Sequence, residues 1–191
     1  MKVVAFNGSP RPKGNTYILL KTVLNTLESE GIETELVHVG SRDIHGCTAC
    51  QKCMKLKNGR CVFNDDIVNP SIEKIEQADG VILGAPVYFG DMCAQMKAFI
   101  DRVGYATRSV KTFKGKVCAS VVAVRRNGAL FTFNAMNNLF TLSEAIIVGS
   151  SYWNQGIGNT IGAVENDEEG INTMVTLGKN MAEVLKSLKR A

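Results

Sequence analysis

No apolar run in this sequence approaches the ~20 residues that a bilayer span requires, so no membrane partner is expected. No block of lysine and arginine is long enough to mark a nucleic-acid or membrane-surface footprint, and the net charge of +4 is mild. The apolar stretch at the start ends in a turn at Asn7-Gly8, too short for an export signal, which makes the cytoplasm the expected location. Internal repeats, low-complexity tracts and linkers are missing, so one domain is expected over residues 1–191. Hydrophobic residues at 45% and charged residues at 21% exclude disorder. The two histidines, His38 and His45, form no visible triad with Ser143 and Glu144.

What is present is an alternation of apolar runs and helical patterns. Lys2–Phe6, Thr34–Val39, Gly80–Ala85, Lys116–Val124 and Ala145–Val148 read as five strands. Helical spacing runs from Asn15 to Glu30, from a cap at Asp65-Asp66 through Ala78, from Asp91 to about Val103, and from Leu130 to Leu142. A last helix begins near Glu165, with Asp167-Glu168-Glu169 as acidic charge at its start. Strands joined through helices need crossover connections. The expectation is an α/β protein with a doubly wound, five-stranded parallel sheet of flavodoxin-like type and helices on both faces. Residues 41–64 show little periodicity and form an insertion after the second strand.

Two loops fall at the carboxyl ends of strands, where this architecture binds ligands. The first reads Asn7-Gly8-Ser9-Pro10-Arg11-Pro12-Lys13-Gly14-Asn15-Thr16. It lacks Gly-x-Gly-x-x-Gly and Gly-Lys-Ser/Thr, which argues against dinucleotide and P-loop sites. It offers hydroxyls at Ser9 and Thr16, charge at Arg11 and Lys13, an amide at Asn15, and the free N–H groups of a helix start, a set suited to phosphate. An ordinary βα turn with a common N-cap is the plainer reading. The second loop, Pro86-Val87-Tyr88-Phe89-Gly90, can bond the edge of a flat ligand and pack aromatic rings on it; it also reads as a turn over the core.

Four of the six cysteines are clustered as Cys47-x-x-Cys50-x-x-Cys53, with Cys61 after seven further residues. Compact three-plus-one spacing is typical of iron–sulfur ligation. Redox-active or plain thiols and a four-thiolate zinc site are the competing readings. Cys93 and Cys118 read as small buried hydrophobes. Tyr152-Trp153-Asn154 reads as a core or interface cap.

Together, the motifs Gly8-Ser9-Pro10-Arg11 with Asn15-Thr16 and Ala85-Pro86-Val87-Tyr88-Phe89-Gly90 resemble the NADPH-dependent FMN reductase family. The cysteine pattern before Asp65-Asp66 resembles its iron–sulfur flavoprotein subgroup. The resemblance implies FMN, its phosphate held by Ser9, Arg11, Lys13, Asn15 and Thr16 and its ring lined by Pro86, Val87, Tyr88, Phe89 and Gly90. The loop carrying Arg126 and Asn127 would close the site. That loop departs from the subgroup's Gly-Gly-Ser pattern, with Val124 and Arg125 in its place.

The resemblance further implies a 4Fe–4S cluster on Cys47, Cys50, Cys53 and Cys61, tuned by charge such as Lys52 and Lys55. It implies an electron donor of NAD(P)H or ferredoxin type. It implies a homo-oligomer in which one subunit's cysteine loop approaches another's FMN. A cluster-free NAD(P)H-dependent FMN or quinone reductase, and a zinc-stabilised binding protein, are the alternatives.

Overall fold

The computed structural model describes residues 1–190. The chain opens with β1 (Lys2–Asn7), α1 (Asn15–Ser29) and β2 (Glu33–His38). A one-turn helix α2 (Lys52–Leu56) lies within the cysteine segment, and α3 (Val68–Gln77) follows it. Next come β3 (Gly80–Tyr88), β4 (Asp91–Met92), α4 (Ala94–Arg108), β5 (Val117–Val124) and α5 (Ala129–Leu142). Two short strands, β6 (Ile146–Ile147) and β7 (Gln155–Ile157), precede a 3-10 turn at Ala163–Asn166 and the last helix α6 (Glu168–Arg190).

The sheet order is β2-β1-β3-β5-β6, all parallel along this path. Central strands in such a sheet are covered on both sides, which is why β1 and β5 are continuous apolar runs. One core layer packs α1 and α6 on the sheet through Leu20, Leu24, Met174 and Met181. The other packs α3, α4 and α5 on the opposite face through Ile72, Phe99, Val103 and Phe140. From β1 the chain moves one way to β2 and then crosses to β3 on the other side. The carboxyl ends of β1 and β3 are therefore the topological switch point.

Three boundaries differ from the sequence reading. The fifth strand position is filled by two pieces. β6 pairs with the start of β5 at Val117 and Cys118, and β7 pairs with its end from Val122 to Val124. Residues 149–153 leave the sheet between them, so Tyr152 and Trp153 sit on an exposed excursion inside the strand, not beyond it.

Asp91 belongs to β4, which folds back antiparallel on β3; the residue before α4 is Cys93, with no side-chain cap, and that helix continues past Val103 to Arg108. At the last helix the turn beginning near Glu165 is 3-10, and Asp167 is the cap. Its carboxylate accepts the N–H of Gly170 at 3.0 Å and of Ile157 at 2.6 Å, tying α6 to β7. No helix among the described residues is long and apolar enough to cross a membrane.

Candidate flavin groove and cysteine pocket

The register of β1 on β3 places Asn7 opposite Gly84, and Gly8 donates its N–H to Gly84 O at 2.8 Å. The two loops singled out in the sequence therefore leave the sheet side by side. Asn7 shapes the first turn: its Oδ1 accepts the Ser9 N–H at 3.0 Å and its Nδ2 donates to Pro12 O at 3.2 Å. Ser9 Oγ accepts the Arg11 N–H at 3.1 Å. Helix α1 starts without a side-chain cap, and the N–H groups of Asn15, Thr16 and Tyr17 find no acceptor among the described residues. Such a turn concentrates unpaired donors at a positive helix end.

Ser9, Arg11, Asn15 and Thr16 line one groove with Pro86, Val87 and Tyr88. Lys13 is exposed outside that lining, and Phe89 stands fully exposed at the tip of the β3–β4 hairpin. The tip turns through Phe89 and Gly90, both at positive φ (50° and 84°). Arg126 and Asn127 are exposed; Arg125 takes the place in the lining beside Ala123 and Val124. Gly128 has φ 96°, and a Cβ there would come within 2.9 Å of Val87 Cγ1. Only glycine lets the turn into α5 dock this closely on the hairpin.

Sequence reasoning missed the far wall, formed by Gly158 and Asn159. Asn15 Nδ2 donates to Gly158 O at 3.0 Å and Thr160 O at 2.9 Å, which leaves Asn15 Oδ1 buried and without a donor. The Gly156-Ile157-Gly158-Asn159-Thr160 stretch carries no strand or cap signal, and small residues flanking one apolar position were its only mark. His38 is also structural: its Nε2–H donates to Ser9 O at 2.7 Å, and Ser41 Oγ donates to its Nδ1 at 3.3 Å. Cys93 is buried and donates its thiol to Gly8 O at 2.8 Å, and burial pushes its pKa up. Burial pushes the Cys118 thiol to about 12, so it behaves as a small hydrophobe.

The four clustered cysteines all line a second, smaller pocket near α4. Ala49, Gln51 and Lys57 adopt positive φ (51°, 56° and 50°), wrapping the chain tightly around it. Cys47 and Cys50 are exposed, Cys61 is half-buried and Cys53 is buried. The backbone N–H of Lys52 favours the Cys50 thiolate and lowers its pKa. Burial, reinforced by Cys61, Cys50 and Cys47, raises that of Cys53.

Asn69 of α3 clamps the fourth cysteine, its Oδ1 accepting the Cys61 N–H and its Nδ2 donating to Cys61 O, both at 2.8 Å. Among the described residues no three of these sulfurs lie within 4.8 Å of one another. A tetrahedral zinc with bonds of about 2.3 Å needs them closer than that. The donor set is the right one for an iron–sulfur centre, whose separate irons spread the thiolates more widely.

The fold and the switch-point groove define a flavodoxin-like α/β protein. Solved structures share the architecture: RosB superposes with a TM-score of 0.77 at 18% identity, covering 100% of this chain and 81% of RosB. The WrbA-like protein from Agrobacterium tumefaciens gives 0.68 at 16%, covering 97% of each chain. The chain belongs to the NADPH-dependent FMN reductase family, whose sequence pattern matches residues 1–160, and it is a flavin oxidoreductase of that family. It is 37% identical to an iron–sulfur flavoprotein of Methanocaldococcus jannaschii, covering 100% of both chains. It is 31% identical to the iron–sulfur flavoprotein of Methanosarcina thermophila, covering 100% of this chain and 98% of that one.

Proposed function

We propose that the protein moves electrons between a two-electron donor of the NAD(P)H class, or a low-potential carrier, and a one-electron acceptor, using FMN and a 4Fe–4S cluster. The observation that carries this reading is the convergence of Cys47, Cys50, Cys53 and Cys61 on one pocket from a chain wound through three left-handed residues. Bound flavin supplies the ability to exchange electrons singly or in pairs, and the protein supplies position and field.

The free N–H groups at the start of α1, with Ser9, Thr16 and Arg11, would hold the phosphate. Lys13 would add charge from outside the groove. The unpaired Asn15 Oδ1 would accept a hydroxyl of the sugar chain. Pro86 to Gly90 would line the ring, with Arg126 and Asn127 of the neighbouring loop at its rim and Arg125 facing it. Exposed Phe89, Phe131 and Ile161 near this rim support pairing with a second copy, which would shield the ring from water.

Anaerobic purification followed by an absorption spectrum and metal analysis is the test. Flavin with iron and labile sulfide in roughly fourfold amounts over it is expected. Flavin without iron or sulfide leaves the plain NAD(P)H-dependent reductase. The exposure of Cys50 and its lowered pKa favour redox-active thiols in that case.

A further inference from the structure

Among the described residues, the largest fully buried side chain is a charged one: Arg102, on α4, is 1% exposed. Its partner Asp66 is almost as deep, at 5% side-chain exposure, and accepts from Nη1. Nη2 donates to Phe63 O at 3.1 Å and to Cys61 Sγ at 3.5 Å, within the reach of a hydrogen bond to sulfur. The Phe63 ring stands 5.8 Å from Cζ, a cation–π contact that helps fix the guanidinium.

Burial works against this charge, yet Asp66 and Cys61 more than offset it and the pKa of Arg102 is raised. One donor is left over: Nε is buried and has no acceptor among the described residues. An unsatisfied buried donor costs about 1–3 kcal/mol, so the guanidinium keeps capacity for a further acceptor here. Arg102 lines the same pocket as the four cysteines.

We propose that Arg102 is the internal counter-cation of the sulfur centre on Cys47, Cys50, Cys53 and Cys61, raising its reduction potential, with Asp66 as the opposing charge that limits the effect. This rests on the cluster reading above. Reduction by one electron adds one negative charge to the centre and neither makes nor breaks a bond. A guanidinium hydrogen-bonded to one thiolate, in an interior of low dielectric, favours the more negative state. Lys52 and Lys55 are exposed, so solvent and salt screen them; the strong field comes from α4.

The test is a reductive titration of the anaerobic, FMN-loaded protein, following the cluster by electron paramagnetic resonance and the flavin by absorbance. Arg102→Gln is expected to lower the cluster potential by about tenfold in the one-electron equilibrium, ~59 mV. Asp66→Asn is expected to raise it, and Arg102→Lys to fall between Gln and the native residue. The flavin potential serves as the internal control and stays at its native value.

Arg102→Gln strands Asp66 in the interior, so Arg102→Lys and Asp66→Asn carry the test if that variant does not fold. Shifts of opposite sign are something a merely structural pair would not produce. Native potentials in variants with full iron and sulfide, or shifts all of one sign, overturn the inference while leaving the cluster reading intact. Unaltered protein with FMN but neither iron nor sulfide overturns both.

Discussion

At Gly40 a single added carbon would collide with the turn after β1. A Cβ there would overlap the carbonyl oxygens of Ser9 and Gly8, which are backbone and cannot swing away. Gly40→Ala is therefore expected to weaken FMN binding at least tenfold and to cost about 1–3 kcal/mol of stability, as overpacking does. Gly46, with open space around it, is the control, and Gly46→Ala should leave a fluorescence titration of FMN unchanged.

Asn69 is the corresponding single point for the other site. Asn69→Ala leaves the Cys61 N–H and C=O without their partner and is expected to cost about 1–3 kcal/mol in a urea melt. Neither residue was legible beforehand. Gly40 is one more glycine after a strand, and Asn69 sits in the first turn of α3, where nothing in the sequence says its amide turns back to Cys61. Ser9, Arg11, Asn15 and Thr16 were legible because a βα turn at a switch point displays its polar residues consecutively.

Elements were read well where burial set their pattern and poorly where tertiary pairing did. β1, β3 and β5 announce themselves as apolar runs because the sheet hides both their faces. β7 has one apolar residue in three and exists because Val122 to Val124 offer it a ladder. Of the acidic residues expected to cap helices, Asp66 does accept a free N–H at the start of α3, whereas Asp91 is drawn elsewhere. Asp91 bonds the N–H of Met92 at 2.7 Å inside a hairpin, and Asp66 divides itself between Val68 N–H at 3.0 Å and Arg102.

The outer strand β2 makes a prediction in pH. Lys74 and then Lys2 hydrogen-bond Glu35 and hold its carboxyl below the ordinary range. A lowered carboxylate stabilises the fold above its unfolded pKa of about 4.3 and loses that contribution as pH falls through the folded value. Glu35→Gln should lower the urea midpoint near neutrality by an amount worth at most ~1 kcal/mol, the group being partly exposed. Below about pH 4 the gap from the native protein should close. A gap that widens on acidification would contradict the assignment.

For the molecule as a whole, the groove lies between segments far apart in sequence: the turn after β1, the hairpin after β3, the rim after β5 and the loop after β7. A ligand seated there binds only the folded chain. FMN at a hundredfold over its dissociation constant should add about 2.7 kcal/mol, which for a domain of this size moves the melting temperature by ~5–11 °C. A scanning calorimetry trace unmoved by FMN would count against the groove.

The broken fifth strand has a bearing on life at high concentration. A chain arriving at that border meets two footholds, one of two residues and one of three, separated by a detour that juts outward. Zippering of one molecule onto the next, the first step toward fibrils, needs a longer uninterrupted rail. On the far border, Glu33 and Glu35 of β2, paired with Lys2 of β1 and Lys74 of α3, serve as a fence of charge against the same accident.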